Sequence, residues 1–456
     1  MKDKKGKIVK NATVLGLSAF FSKLLGAIYR VPLTNMLGTL GLGIYQLIFP
    51  VYALLLDFSG AGVPSALSRL ISLDKSKNEG LPAQKYLSVA VKLFLILGLI
   101  FSVVMFVFGQ SISTLQGNSN ATLGYMSLAP SVLLVSLLSC LRGYFQGHTN
   151  MVPTAVSQIV EQTFKLVLGL LFVRLALPNI RLAVAGATLG ITFSEMLALL
   201  YMAFVYFRNK PKHKLTTKRV SAVEFKSIAK KIIKVTIPIT LVGILLPLSH
   251  VIDSFVVVNI LSTYRQDATA LYGILSGVVC TVIGLPVAIC YGISTVAIPV
   301  VSGSRTEIER RKNANKTVCL TILVALPCAV ACAVFAPLII KILFVRLKGD
   351  EFSIAVGLLR VSSINVLLLS LLQTTNAVLI GQGRLYTPVV VLALGVVIKT
   401  ILSIVLLKIP TINIYGNAIG VIACYFTVCL INLILIFSRR RENAVKRTCR
   451  WQSTTQ

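Results

Sequence analysis

Acidic side chains are scarce, with 14 Asp and Glu in 456 residues against 45 Lys and Arg. Histidine is rarer, at three, and there is one tryptophan. His148, His213 and His250 are too few for most nucleophile–base chemistry, and no His/Glu pattern has metal-ligand spacing. A nucleotide-binding Gly-rich loop is missing, and no polar stretch is long enough to fold into a soluble catalytic domain. The nine Cys lie mostly inside apolar runs and form no Cys-x-x-Cys pair. Even Cys328 and Cys332, which share a helix face, read as small packing residues and not as metal or disulfide ligands. These absences argue against an enzyme and give no reason to expect a cofactor or a metal.

What the chain has is length without charge. Its composition is 56% hydrophobic, yet its formal net charge is +31. In a soluble protein that excess would suggest nucleic acid. Here the basic residues fall in the gaps between apolar runs that approach the ~20 residues a helix needs to span a bilayer. The charge therefore reads as topology, and the expected partner is a lipid bilayer, with no nucleic acid.

Twelve runs are predicted, at 12–35, 40–64, 86–108, 122–141, 153–175, 183–207, 232–260, 268–300, 317–344, 353–380, 386–408 and 415–438. Lys and Arg flanks resist translocation and mark cytoplasmic loops. With the N-terminus inside, the inner segments hold 32 basic residues, the outer loops six, and the spans seven. The partition predicts a multi-pass protein of the bacterial plasma membrane with both termini cytoplasmic. The Lys-rich start has no cleavage site, and its run contains Lys23 and Arg30, so it reads as a retained first helix.

The chain is also written twice. Gln146-Gly147, Pro153, Lys165 and Gly186-x-x-x-Gly190 recur as Gln382-Gly383, Pro388, Lys399 and Gly416-x-x-x-Gly420. Six helices per half is an even number, so the repeats are parallel, related by an axis along the membrane normal. The predicted fold is an all-α polytopic membrane protein with two pseudo-symmetric six-helix lobes around a central cavity. Residues 1–207 form the N-terminal lobe, 208–231 a basic linker, 232–438 the C-terminal lobe and 439–456 a basic tail. Rocking two such lobes gives alternating access.

The cavity's cargo is argued from ionisable residues inside the spans, each costly there by roughly 2.5–3.5 kcal/mol. Lys23 and Arg30 are seven apart on one helix face with no acid within a turn. Lys399 is mid-span with no acid nearby in sequence. Lys165 has Glu161 four residues before it, the favoured orientation for a helix ion pair, so it either neutralises itself or faces the cavity. Lys399 is thus expected to be more available to substrate than Lys165. Asp57, Glu161 and Asp253 are candidates for Na+ or H+ coupling or for pairing with a buried base. Glu195 also lies within a span, and His250 shares a face with Asp253. Lys92, Lys341 and Arg360, near span ends, are expected to snorkel. The surplus of positive charge suits a phosphate or pyrophosphate head group. Pro238, Pro247 and Pro286 interrupt helix ladders and can act as hinges.

Gly41-Leu-Gly-Ile-Tyr-Gln46 with Pro50, then Gly62-Val-Pro-Ser-Ala-Leu-Ser-Arg-Leu70 and Arg142-Gly-Tyr-Phe-Gln-Gly147, carry a family resemblance. Pro153-Thr-Ala-Val-Ser-Gln158 with Glu161-Gln162, and Ala270-Leu-Tyr-Gly-Ile-Leu-Ser-Gly277, extend it. The chain resembles, from about residue 8 to 437, the stage V sporulation protein B family of polysaccharide-biosynthesis membrane proteins. That superfamily also contains multidrug/toxin exporters and the lipid II flippase. The resemblance implies flipping or export of an undecaprenyl-pyrophosphate-linked saccharide for cell-wall or polysaccharide synthesis. Two departures stand out. The flippase's cationic cavity uses its first, second and eighth helices, yet the eighth span here has no basic residue from Leu271 to Ser304. Relatives commonly have fourteen spans, and twelve are predicted here. A cation-coupled multidrug/toxin exporter is the alternative, and a membrane-embedded glycosyltransferase a more distant one.

Overall fold

A computed structural model describes residues 2–75, 82–208, 221–304, 306–384 and 386–438. Within these, the side chains of residues 2–17, 19, 20, 23, 75, 238, 242 and 299 lie outside the description. The described chain is helical throughout. The helices are α1 (Lys2–Leu56), α2 (Val63–Lys75), α3 (Ala83–Leu115), α4 (Thr122–Gly147), α5 (Val152–Ala176), α6 (Ile180–Arg208) and α7 (Ala222–Leu261). They continue as α8 (Ala268–Tyr272), α9 (Cys280–Ser302), α10 (Glu307–Val334), α11 (Ala336–Leu343), α12 (Gly349–Ser362), α13 (Ile364–Gly381), α14 (Thr387–Leu407) and α15 (Tyr415–Phe437). A π-helical turn at Asp57–Ala61 joins α1 to α2, and another at Gly273–Val279 joins α8 to α9.

Among the described residues, ten stretches are long and apolar enough to cross a membrane. The first, Leu24–Asp74, contains Gly38 at φ 69°, a left-handed conformation open to glycine, where α1 bends into two rods. Helix α5, 25 residues long, also has crossing length and stands outside the ten. With these two, each of the twelve predicted spans finds a helical rod. Residues 222–231, predicted as linker, are instead the opening turns of α7, where Ser221 and Glu224 form a capping box. Residues 209–220 and the tail 439–456 lie outside the described residues.

Glycines seat the helix pairs. Gly186 and Gly190 set α6 against α5, where added Cβ atoms would meet the Phe172 carbonyl at 2.9 Å and the Gly169 backbone at 2.5 Å. Gly416 and Gly420 set α15 against α14 in the same way, 2.8 Å from Leu406 and 2.3 Å from the Ser403 hydroxyl. Small residues let helices approach closely in lipid, where dispersion and hydrogen bonds replace the hydrophobic drive. The repeated motif thus does the same work at the last helix pair of each half.

The first half encloses a core of Tyr29, Leu33, Ile44, Tyr125, Leu128 and Ile191. The second half encloses Val391, Leu392, Val396, Cys424 and Val428. A third cluster joins the halves, inserting Leu42 and Leu47 of α1 among Val257, Leu271, Ile274 and Val278. Helix α7 belongs to both sides. Ile228, Ala229 and Ile232 pack with α2, α3 and α4, while Asp253 bonds to α14.

Polar contacts between the halves gather at the end of the bundle away from the start of α1, called here the distal end. Asn35 donates to the Leu343 carbonyl at 2.9 Å, and Thr39 donates to Glu351 at 2.5 Å. Arg346 donates to the carbonyls of Asn35 and Met36 at 3.3 and 2.8 Å, groups that the Gly38 bend leaves without helical partners. Asn118 donates to Thr269 at 3.0 Å. There Gly43 and Gly273 let backbones touch: a Cβ on Gly273 would lie 2.4 Å from the Thr39 carbonyl and 2.6 Å from the Gly43 nitrogen. The distal end is closed.

Candidate substrate cavity

Below that closure the halves part around two adjoining chambers. One, of about 380 Å³, is lined by Leu24, Ala27, Arg30, Lys165, Leu285 and Ile289 among others. The second, of about 390 Å³, is lined by Arg30, Gln46, His250, Asp253, Asn417 and Tyr425 among others. Arg30 and Cys280 border both. Helix α1 supplies Arg30 because its first rod runs down the seam between the halves.

Arg30 is half-buried, and its guanidinium has no hydrogen-bond or ion-pair partner among the described residues. A guanidinium carries five N–H donors in a fixed fork and stays charged. Lys165 is half-buried in the same chamber, its ammonium 5.5 Å from the Tyr29 ring centroid and 5.2 Å from that of Phe49. Ring faces stabilise a cation by their quadrupole without neutralising it. The first chamber therefore presents two positive groups beside apolar walls. The side chain of Lys23 lies outside the description.

The two matched lysines are paired differently from what their sequence neighbours suggest. Glu161 does not pair with Lys165. It accepts from Arg142 of α4 at 2.8 Å, and the same guanidinium donates to Ser157 at 3.0 Å. A planar fork reaching across from α4 meets the carboxylate better than an ammonium one turn along the same helix. Lys399, in contrast, does not reach the cavity. It is 3% exposed, pairs with Asp253 and donates to the Ser249 hydroxyl at 2.6 Å. Asp253 lies 146 residues away on α7, so sequence neighbours gave no sign of it. Its second oxygen accepts from Asn417 at 3.1 Å.

Asp57 sits half-buried at the π-helical turn with no ion pair among the described residues, and Gly243 of α7 lies alongside. Glu195 is buried in the first half, where Tyr52 donates to it at 2.5 Å and Ser131 donates to its other oxygen. Both lie off the chamber walls described above. Lys92, Lys341 and Arg360 are exposed, consistent with snorkelling from the outer faces.

Several lining residues escaped the reading of charges because they are neutral: Gln46, Tyr272, Asn417 and Tyr425. Three of them had a signal. Gln46 and Tyr272 lie inside the motifs Gly41–Gln46 and Ala270–Gly277, and Asn417 lies inside Gly416-x-x-x-Gly420.

Two ion pairs outside the spans fix the connections. Lys85 donates to Glu224 at 2.8 Å, tying the start of α3 to that of α7 and holding the Glu224 carboxyl below its usual range. Arg265 chelates Asp267 at 2.8 and 2.7 Å in the distal loop and depresses its carboxyl likewise.

Residues 8–305, more than half of the chain, match the family described as polysaccharide biosynthesis protein. The chain belongs to that family. Residues 238–405 of this family member also match the description MatE. Stage V sporulation protein B of Bacillus subtilis is 26% identical over 439 residues, covering 94% of this chain and 83% of that protein. Lipid II flippase MurJ of the same organism is 25% identical over 449 residues, covering 91% and 81%. Among solved structures, an inward-facing multidrug resistance MATE family transporter superposes with a TM-score of 0.74 at 15% identity, covering 97% of this chain and 99% of its own. Lipid II flippase MurJ in an inward closed conformation gives 0.72 at 17%, covering 93% and 87%. These two likenesses show the fold: an all-helical membrane protein of the kind shared by MATE transporters and MurJ.

Proposed function

We propose that this family member flips an undecaprenyl-pyrophosphate-linked saccharide across a bacterial plasma membrane by alternating access. The observation that carries the reading is Arg30, a guanidinium without an acidic partner among the described residues, with Lys165 in the same apolar-walled chamber. A pyrophosphate offers the planar, charge-assisted acceptors that such a fork recognises. Apolar walls beside it suit the first units of a polyprenyl chain, and the amides, hydroxyls and rings of the second chamber suit a sugar. Similarity to stage V sporulation protein B and to MurJ supports the same substrate class. In this reading the two lobes are residues 1–207 and 232–438, the termini are cytosolic, and the closed distal end faces outward.

A cation-coupled multidrug exporter is the second reading, favoured by the MatE match. An organic cation needs an open carboxylate. The acid on the chamber wall, Asp253, already has Lys399, so the chamber keeps a net positive charge. The two readings separate in one experiment on the purified protein. A polyprenyl-pyrophosphate saccharide should bind and raise its thermal stability, Arg30→Ala and Lys165→Ala should each weaken that binding about ten- to a hundredfold, and a cationic dye should not compete. Competition by the dye, with unchanged affinity in the Arg30→Ala/Lys165→Ala protein, would remove the phosphate site.

A further inference from the structure

The surroundings of the Lys399 ammonium are those of a bound monovalent cation. Its nitrogen faces a carboxylate oxygen of Asp253, the Ser249 hydroxyl at 2.6 Å and the Ser249 carbonyl at 3.4 Å. Three N–H donors thus meet three oxygens. Ser249 and Asp253 are one turn apart on α7, so one helix face supplies the cage. Lys399 enters from α14, while Asn417 of α15 holds the other Asp253 oxygen. Ser249, Asp253, Lys399 and Asn417 are 5%, 7%, 3% and 3% exposed, and Asp253 and Asn417 border the second chamber. The backbone at Lys399 is closely packed as well, because a Cβ on Gly420 of α15 would lie 3.0 Å from the Lys399 carbonyl of α14.

We propose that Lys399 is a built-in counter-cation: it fills an oxygen cage on the wall of the cavity that would otherwise take a sodium ion, so Asp253 is not a site of sodium coupling. A sodium ion arriving from the cavity carries the same charge as the ammonium it must displace. It would gain no charge advantage and would leave a buried lysine unpaired, which is strongly unfavourable. The ammonium is also tethered, so its local concentration exceeds that of any free ion. The role of Lys399 is to position α7 against α14 and to cancel the charge of Asp253 beside the substrate. The inference stands apart from the identity of the substrate.

The test is thermal unfolding of the purified full-length protein in sodium chloride against choline chloride at equal ionic strength. Wild type should unfold at the same temperature in both. Lys399→Ala, which empties the cage, should acquire a saturable stabilisation by sodium, and Asp253→Asn added to it should abolish that response. A Lys399→Ala protein indifferent to sodium would overturn the proposal. If Lys399→Ala does not fold, the neutral pair Lys399→Met/Asp253→Asn is compared with wild type instead. Equal indifference to sodium supports the built-in cation, whereas sodium stabilisation present in wild type and lost in the pair overturns it.

Discussion

Alanine at Gly43 or Gly273 should open the distal end. An added Cβ at Gly43 would sit 2.0 Å from the Thr269 carbonyl oxygen, and one at Gly273 would sit 2.4 Å from that of Thr39. Ordinary carbon–oxygen contacts lie near 3.3 Å, so the two backbones must part by about 1 Å. Neither obstacle is a side chain that can swing away. Parting on that scale breaks the Thr39–Glu351 and Asn118–Thr269 hydrogen bonds, each worth about 1 kcal/mol net. It also loosens Leu42 and Leu47 in the shared apolar cluster. A total of about 2–3 kcal/mol against the closed state corresponds to a roughly 30- to 150-fold change in its population relative to the open one. The assay is cross-linking between Thr39→Cys and Glu351→Cys in a background without the native cysteines, since those side chains touch only when the end is closed. The reporter cysteines remove the Thr39–Glu351 bond, so about 1 kcal/mol of that total is absent in this background, and Gly43→Ala and Gly273→Ala should slow cross-linking about 5- to 30-fold. Gly284→Ala on α9, where nothing lies within 4 Å, should not. Unchanged cross-linking in all three would refute the view that glycine contact keeps this end shut.

Other outcomes follow from the pairs described above. Lys399→Ala should reduce yield and thermal stability before it affects substrate affinity, and Lys165→Ala should do the reverse, read by unfolding temperature and lipid binding side by side. Arg142→Gln leaves Glu161 without its cation in a half-buried site and should destabilise by about 1–3 kcal/mol; adding Glu161→Gln should recover part of the loss in a double-mutant cycle. The Glu224 and Asp267 carboxyls are depressed by Lys85 and Arg265. Their contribution is therefore complete above the unfolded carboxylate range near pH 4 and is lost as pH falls through the lower folded values. Glu224→Gln should flatten the acid limb of a stability–pH curve slightly, the effect being small because the Glu224 side chain is 40% exposed and its ion pair is screened by solvent.

The rods of this fold were legible because each is an apolar run bounded by Lys, Arg, Gly or Pro, a signal that lies along the chain. Gly186-x-x-x-Gly190 and its counterpart announced helix contacts that the structure contains, since small residues at that spacing have few other uses in a bilayer. Partners across helices were another matter. The Lys165–Glu161 expectation used the one geometry a sequence supplies, the i, i+4 face, and Arg142 displaced it from a neighbouring helix. Lys399 looked unpaired for the same reason, its acid being on α7. Arg30 was read as unpaired by its neighbours and is so among the described residues. The neutral half of the cavity stayed hidden because Gln46, Asn417 and Tyr425 break no hydropathy rule.

Helix α7 is anchored at one end among α2, α3 and α4 and near the other to α14 through Asp253. Two bodies joined by a single continuous rod cannot swing apart as free leaves; the rod must flex with them. Its weakest stretch is set by composition, since Pro247 donates no backbone hydrogen bond and Gly243 packs lightly beside Asp57. Helix α7 therefore ties both halves in one piece, so any parting of the far end would have to bend it, and 243–247 is where its backbone would yield first. In the proposed cycle, alanine at Gly243 would change the ease of that bending without altering a residue that lines either chamber.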